Sequence, residues 1–343
     1  MPRATGVTIR DVARRAGVSI TAVSHALNGK GQLSEATRAK VIAAARALDY
    51  QADAFARGLR QGRIGALGMV IRGLDSLGEY APEGVDVFAR IAGVLASAAL
   101  ARGYSLTLLP DISRRPVPSL AFALDGYVVM SPHVDDPVVS LLDARGIPCV
   151  SYGRPLTGDG RTTASNWADE DNVWAAQQLL GILESAGARR IAFLRGTDLN
   201  AWNLDFTETY LRWSEASGIA PRVYEVAERD GVAGGQGIAA RIHAEGMPDA
   251  VLCMTGRHAA GVQAYFRSQG LRMPRDLLLA AASDSEHARS ASPAITAFEI
   301  SPGEVAGPLI DMLVAILDGA DPGEPRLARP RLHLRVSTDP GLR

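Results

Sequence analysis

The chain has 343 residues, of which 47% are hydrophobic, so it is long enough for two or three domains with buried cores. No apolar run reaches the length of a membrane span, and the first residues lack the apolar segment of a signal peptide. The two cysteines, Cys149 and Cys253, lie in apolar strand-like runs, which argues against a disulfide framework. These features predict a cytoplasmic protein with no membrane association.

The net charge of −1 hides an uneven distribution. Residues 1–63 hold 11 lysines and arginines against 4 acids, whereas the remainder holds 25 against 33. A basic segment joined to an acidic body is typical of a nucleic-acid-binding module attached to a part that does not bind nucleic acid.

The first fifty residues read as three short helices with clear ends. Thr8 and Asp11 have the spacing of a capping box for the first helix, and Gly17 is suited to end it with a positive φ. Ser19 and Ser34 can cap the second and third helices. A helix, a glycine turn and a second helix predict a helix-turn-helix, whose second helix lies in the DNA major groove.

The second helix has two faces. Val23, Ala26 and Leu27 fall on the buried face, and Ile20 lies nearer that side, although it can still reach a thymine methyl group at the helix start. The short polar side chains that point the other way, and that can reach base edges, are Thr21, Ser24, His25 and Asn28. The alternative is a small helical bundle with a polar outer surface.

These residues also carry a family resemblance. The stretch TIRDVARRAGVSITAVSHALNG, followed by SEATRAKVIAAARALDY, closely resembles the DNA-binding end of the lactose/galactose-repressor (LacI/GalR) family of transcription regulators, and ADAFARGLRQGRIGALG resembles its hinge. The resemblance implies that Ile20, Thr21 and His25 read bases and that Leu59 wedges into the minor groove. The whole expected DNA-binding set is Thr8, Ser19, Ile20, Thr21, Ser24, His25, Asn28, Ala56, Arg57, Leu59 and Arg60.

Residues 51–63 are predicted to be a linker with a short helical segment at 54–60. A helix this short does not hold by itself, and Gly58 weakens it by about 1 kcal/mol relative to alanine. We expect it to be unfolded without DNA and ordered on DNA, where Arg57 and Arg60 can meet phosphates. The alternative is a plain flexible linker. Ala52-Asp53 also departs from the Pro-Asn that is usual in the family.

From Ile64 onward, apolar strand-like runs alternate with helical stretches, which predicts parallel sheets covered on both faces. The expected strands are 64–71, 105–110, 126–131, 148–153, 190–195, 223–227, 249–254, 277–282, 295–300 and a last run at 331–338. The expected helices are 86–102, 137–145, 170–186, 204–217, 234–245, 258–269 and 303–318.

So many strands favour two doubly wound subdomains over one sheet. The predicted organisation is a helix-turn-helix head at 1–50, a hinge at 51–63 and a ligand-binding and dimerisation domain at 64–343. Within that domain, subdomain 1 is expected at about 64–160 plus 295–325, and subdomain 2 at about 161–294 plus 326–343. The segment 157–164 is expected to be the first crossing between them.

The resemblance extends loosely over this region and implies an effector domain like the periplasmic sugar-binding proteins, with ligand in the cleft at the carboxyl ends of the strands. Asp284 and the Asp171-Asn172 pair match family ligand positions, and Phe88 matches an aromatic wall of the cleft. The expected ligand set is Phe88, Arg154, Asp171, Trp202, Asn203, Thr255 and Asp284, with Arg257 close by. A surface-loop role is an equal alternative for each of them.

Two departures weaken the prediction of a ligand. Phe206 stands where many members of the family have an effector-gripping arginine, and Thr255-Gly256 replaces a usual Asn-Asp pair. The ligand is therefore left open between a polyhydroxylated molecule such as a sugar, a smaller or less polar one, and a degenerate site.

Other chemistry is not supported by the sequence. The glycine-rich run 234–237 lacks the dinucleotide fingerprint, and the six histidines lack metal-ligand spacing. His133 with Asp135 and Asp136 is interpreted as a solvated turn, and residues 283–287 do not form a hydrolase motif. No enzyme activity, metal or cofactor is predicted.

The leading hypothesis is a DNA-binding transcription regulator, most simply a repressor. It would act as a homodimer on a near-palindromic operator, with its DNA affinity set by a small ligand. The rival hypothesis is a solute-binding or carbohydrate-processing protein whose basic head is not essential to its function.

Overall fold

The head consists of the three helices that its capping residues and Gly17 predict: Ile9–Ala16 (α1), Ile20–Leu27 (α2) and Glu35–Ala47 (α3). Asp11 accepts hydrogen bonds from both the backbone N–H and the hydroxyl of Thr8, and Gly17 ends α1 with φ of 67°. The Ser19 and Ser34 hydroxyls accept from backbone N–H groups in the first turns of α2 and α3, so these predicted caps are confirmed.

A small apolar core holds the three helices together. Val12, Val23 and Val41, one from each helix, are fully buried and are surrounded by alanines. Leu27 and Leu48 pack against this cluster from its rim. Small side chains in the centre allow the helices to approach closely, which leaves the polar face of α2 outside.

The computed structural model describes residues 7–27, 33–48, 50, 63–72, 86–164, 166–339 and 341. By its contacts the chain divides into two units, Met1–Gly65 and Ala66–Arg343. The predicted hinge, including Ala56, Arg57, Gly58, Leu59 and Arg60, and the base-facing Asn28 lie outside the described residues.

The larger unit alternates strands and helices as predicted. Its strands are Ala66–Ile71 (β1), Ser105–Leu109 (β2), Gly126–Met130 (β3), Cys149–Tyr152 (β4), Trp167–Glu170 (β5), Ile191–Arg195 (β6), Arg222–Glu225 (β7), Ala250–Thr255 (β8), Leu278–Ser283 (β9), Thr296–Glu299 (β10), Arg326–Ala328 (β11) and Arg331–His333 (β12). Its helices are Asp86–Ala101 (α4), Pro137–Ala144 (α5), Asn172–Ser185 (α6), Ala201–Ala216 (α7), Gly231–Glu245 (α8), Gly256–Ser268 (α9), Glu286–Ser290 (α10) and Pro302–Leu317 (α11), with 3₁₀ turns at Glu228–Asp230 and Val336–Thr338.

Two six-stranded sheets organise this unit. The first has the order β11-β5-β4-β3-β1-β2 and is parallel throughout. The second has the order β12-β10-β9-β8-β6-β7, in which only β12 runs antiparallel to its neighbour. Helices pack on both faces of each sheet, over the near-continuous apolar strands that indicated this architecture.

The chain crosses between the sheets at positions other than those predicted. Residues 157–164 are a loop that leads into β5, which still belongs to the first sheet. The strand expected at 295–300 is β10 of the second sheet, and only α11, which follows it, packs on the first. From α11 the chain stays with the first sheet and adds β11 to its edge, and β12 then rejoins the second sheet.

The strands that sequence patterns missed are the polar ones. β5 has the sequence WADE, and all four of its residues are buried although two are acids. β11 is a short, largely exposed strand at the edge of the sheet. The expected long strand at 331–338 stops at His333, because Ser337 and Thr338 turn inward to bond with Thr296.

Candidate DNA-binding face and ligand cleft

The outer face of α2 is a polar surface with little apolar cover. Thr21 and His25 are exposed, as predicted, whereas Ser24, which was expected on the same outward face, is half-buried. Ile20 is 43% exposed, so the helix angle that placed it nearer the buried side was misleading, while its contact with a thymine methyl group stays a prediction. It is the first residue of α2, so its side chain has no preceding helical turn to pack on and lies beside Thr21 on the accessible surface.

The cleft between the two sheets encloses a cavity of about 150 Å³. Its walls are the carboxyl ends of the strands of both subdomains, together with the first turns of the helices that follow them. This is where doubly wound sheets place ligands, because their loops diverge at that edge. Phe88, Trp202, Thr255, Arg257 and Asp284 line the cavity, as the sequence predicted.

The other three residues of the predicted ligand set do not line the cavity. The Asp171 carboxylate caps α6 by accepting from the backbone N–H of Trp174 at 3.0 Å. The Arg154 guanidinium forms an ion pair of 2.6 Å with Asp205 of the other subdomain. Asn203 is 2% exposed and lies behind the wall.

Asn203 supports a carboxylate that does face the cleft. Its side-chain N–H donates to Glu228 Oε1 at 3.0 Å, and its oxygen accepts from the Gly196 N–H. Glu228 also accepts from the backbone N–H and hydroxyl of Thr197. Glu228 follows β7 just as Asp284 follows β9, so the rule used for the other cleft residues could have found it.

The Asp284 carboxylate forms ion pairs with two arginines. Arg335 donates to its two carboxylate oxygens at 2.8 and 2.9 Å, and Arg289 approaches one of them at 3.3 Å. Only 3% of the Asp284 side chain is exposed, so most of its acceptor capacity is spent inside the protein. Arg335 lies 51 residues away in sequence, and nothing in the local pattern indicates the pair.

Two further acids, Asp169 and Glu170, line the opposite wall at the end of β5. The Tyr152 hydroxyl donates to Glu170 Oε1 at 2.6 Å, while Asp169 accepts from the Asn172 side chain and from backbone N–H groups. Burial raises the pKa of Glu170, and burial together with the neighbouring Glu170 carboxylate raises the pKa of Asp169 well above its usual range. Neither acid was predicted to face the cleft, because no strand was expected at 167–169 and Glu170 was placed at the start of the expected helix 170–186.

The turn at His133–Asp136 is not the solvated loop that the sequence suggested. Asp136 is buried, caps α5 and pairs with the buried Arg72 at 2.7 Å. His133 instead bridges Asn200 across the cleft, next to a hydrogen bond of 2.7 Å from the Val134 N–H to the Leu199 carbonyl. This edge of the cleft is therefore closed by contacts between the two subdomains.

Two further observations concern the part of the chain that the structure describes. None of its helices is both long and apolar enough to cross a bilayer. It also contains no cluster of three or more His, Cys, Asp or Glu side chains arranged to hold a metal ion.

A helix-turn-helix head joined to a two-subdomain domain with a ligand cleft defines a class, the ligand-responsive DNA-binding regulators. Comparison with known proteins identifies the family. Residues 8–53 match the model for bacterial regulatory proteins of the lacI family, and residues 180–338 match that for a periplasmic binding protein-like domain. The chain belongs to the LacI family of transcriptional regulators, and it is a DNA-binding regulator with an effector-binding domain.

Named relatives agree with that assignment. The transcriptional regulator CelR of Thermobifida fusca is 28% identical over 329 residues, which cover 91% of this chain and 94% of the relative. The transcriptional repressor PurR of Proteus mirabilis (strain HI4320) is 28% identical over 300 residues, 84% of each chain. The family consists of regulators and not of enzymes.

Solved structures show the same fold. The Lac repressor dimer bound to operator and the anti-inducer ONPF superposes with a TM-score of 0.80 at 21% identity, covering 97% of this chain and 99% of that one. A CelR–cellobiose complex superposes with a TM-score of 0.66 at 23% identity, covering 96% and 99%.

Proposed function

We propose that this regulator is a cytoplasmic homodimeric repressor of a near-palindromic operator, and that a small molecule bound in the cleft sets its DNA affinity. The observation that carries the proposal is the pairing of an exposed polar recognition helix with a cavity at the carboxyl ends of two sheets. One head reads a single half-site, so two copies are the economical arrangement on DNA. The solved Lac repressor is a dimer on its operator, which supports the same arrangement here.

In the head, we assign base reading to Ile20, Thr21 and His25, whose side chains are exposed on α2. Ser19 and Ser24 flank them as phosphate or sugar contacts, because hydroxyls can donate to phosphate oxygens. Thr8, whose hydroxyl donates to Asp11, stays in the proposed set at the N-terminus of α1. Asn28 and the hinge residues Ala56, Arg57, Leu59 and Arg60 complete the proposed set on the strength of the family resemblance.

In the larger unit, we assign ligand contact to Phe88, Trp202, Thr255 and Asp284, which line the cavity. Asp171, Asn203 and Arg154 act indirectly. Asp171 caps α6, Asn203 holds Glu228, and Arg154 pairs with Asp205 across the two subdomains. A ligand that favours one cleft arrangement over another can then shift the DNA-binding equilibrium.

Selection of bound DNA from a random pool, using the full-length protein, tests the first half of this proposal. We expect a symmetric consensus. His25→Ala should cost about 1–3 kcal/mol at the best site and flatten the preference at one symmetric base position. The matched control is Lys40→Ala on α3, which removes an exposed charge and should weaken all sequences alike.

Equal weakening of every sequence by His25→Ala would show that this side chain reads no base. The rival hypothesis, that of a solute-binding protein, makes a different prediction. In that case removal of residues 1–62 would leave function intact, whereas here it abolishes DNA binding.

A further inference from the structure

The cleft wall contributed by the first sheet contains two carboxyl groups that form no ion pair with any basic side chain among the described residues. Asp169 and Glu170 are 6% and 7% exposed, and both line the cavity. In the described part of the chain, neither forms an ion pair with a lysine, arginine or histidine. The Arg154 guanidinium, although close by, is engaged by Asp205.

The hydrogen bonds of the two acids separate their roles. Asp169 accepts from the backbone N–H groups of Arg154 and Glu170 and from the Asn172 side chain, so it ties β5 to the start of α6. Glu170 accepts from the Tyr152 hydroxyl, a neutral donor that leaves its charge uncompensated. Burying a carboxylate without a cation is costly, and the raised pKa values of both groups express that cost.

Positive charge is scarce elsewhere in the cleft. Arg257 is the one basic side chain in the described lining, and its Nη2 donates to the Glu228 carbonyl oxygen at 2.7 Å. Phe206, which is 1% exposed, fills the position where the family resemblance puts an arginine. Phe88 and Trp202 add aromatic surface to the cavity, and aromatic faces attract cations as well as apolar groups.

We propose that the effector is a small molecule carrying a protonated amine on an apolar or hydroxylated ring, and that Glu170 is the specificity-determining residue that receives the ammonium group. This inference rests on the proposed function, because it takes the cleft to be the effector site. The ammonium supplies the missing counter-charge and donates hydrogen bonds to the Glu170 carboxylate, while the ring packs on the aromatic walls. A carboxylate-bearing ligand is repelled by the same wall.

The experiment compares matched probes by titration calorimetry of the full-length protein. One set is glucosamine, glucose and glucuronate, and the other is benzylamine, benzyl alcohol and benzoate, so that each set varies charge on a constant ring. We expect the ammonium member of at least one set to bind about tenfold more tightly than its neutral counterpart, and the carboxylate to bind most weakly.

Glu170→Gln should remove the tenfold preference, since it keeps an acceptor for the Tyr152 hydroxyl but loses the charge. Asp171→Asn is the control, because it removes a neighbouring charge outside the cavity and keeps a good helix cap. The inference is overturned if a neutral or carboxylate probe binds most tightly, if the preference survives in Glu170→Gln, or if neither ammonium probe binds at millimolar concentration. A neutral ligand that binds in the cleft and changes the operator affinity would contradict this inference but would agree with the proposed function.

Discussion

The acids on the two walls of the cleft have different hydrogen-bond and ion-pair partners. On the wall of the second sheet, Asp284 is held by Arg335, and Glu228 is held by the amide of Asn203. On the wall of the first sheet, Asp169 and Glu170 accept hydrogen bonds from neutral donors and pair with no cation in the described part of the chain. The comparison teaches that the acid at a family ligand position, Asp284, also holds the structure together, while Glu170, an acid of no recognisable motif, faces the same cavity without a cation among the described residues.

The largest expected loss of stability comes from removing the ion pair between Asp284 and Arg335 on the wall of the second sheet. Asp284→Ala leaves Arg335, whose side chain is only 16% exposed, without its carboxylate. We expect a loss of about 3–5 kcal/mol in the free energy of unfolding, measured by urea titration. Asp284→Ala combined with Arg335→Met should recover part of that loss. A cost below about 1 kcal/mol for the single change would mean that the pair does not hold this wall together.

A smaller loss is expected behind the same wall. A Cβ at Gly196 would come well inside contact distance of the Glu228 carboxylate and close to the Asn203 amide, so Gly196→Ala should cost about 1–3 kcal/mol of unfolding free energy. Gly181→Ala in α6 is the control, since its Cβ meets nothing within 4 Å and should stabilise the helix by up to about 1 kcal/mol. Equal thermal midpoints for the two variants would contradict the packing described around Glu228.

On the wall of the first sheet, the contribution of Asp169 to the free energy of unfolding should depend on pH. Burial raises the pKa of Asp169 above its unfolded value, so folding takes up protons there. The folded state is thus favoured most below the unfolded pKa, near 4, and this contribution is lost as the pH rises through the folded pKa. The other polar groups packed around Asp169, all of them also present in the Asp169→Asn variant, are Glu170, Tyr152, Asn172, Asp205 and Arg154.

Asp169→Asn should therefore become more stable relative to wild type as the pH rises, by about 1–2 kcal/mol between acid and neutral solution. Thermal unfolding of both proteins over that pH range measures the difference. A difference that stays constant with pH would show that Asp169 titrates normally, and that the two walls are equally well matched.

Much of the fold was readable from the sequence, because it rests on local physics. In the head, capping residues and Gly17 mark the ends of the helices. In the larger unit, apolar runs such as the one ending at Ile71 mark buried parallel strands. β5 was not predicted, because its burial depends on the elements that pack around it and not on its own composition. The crossings were misplaced for the same reason.

The candidate site was readable only in part. The rule that polar residues after strands face the cleft found Thr255 and Asp284, and a family match found Phe88. It could not show that Arg335 already occupies the Asp284 carboxylate, since that contact joins segments far apart in the chain. Asp171 was chosen for its place in a motif, but its carboxylate caps α6, whereas Asp169 and Glu170 at the end of β5 line the cavity.

The central claim is that occupancy of the cleft controls operator binding, and linkage tests it most directly. With an effector in hand, its dissociation constant is measured with and without saturating operator DNA, and that of the operator with and without saturating effector. The account predicts that both constants change by the same factor, typically 5–150-fold, or about 1–3 kcal/mol of coupling. Trp202 fluorescence, followed against a Trp202→Phe control, confirms that the ligand is in the cavity. Unchanged operator affinity with the cavity saturated would contradict the account.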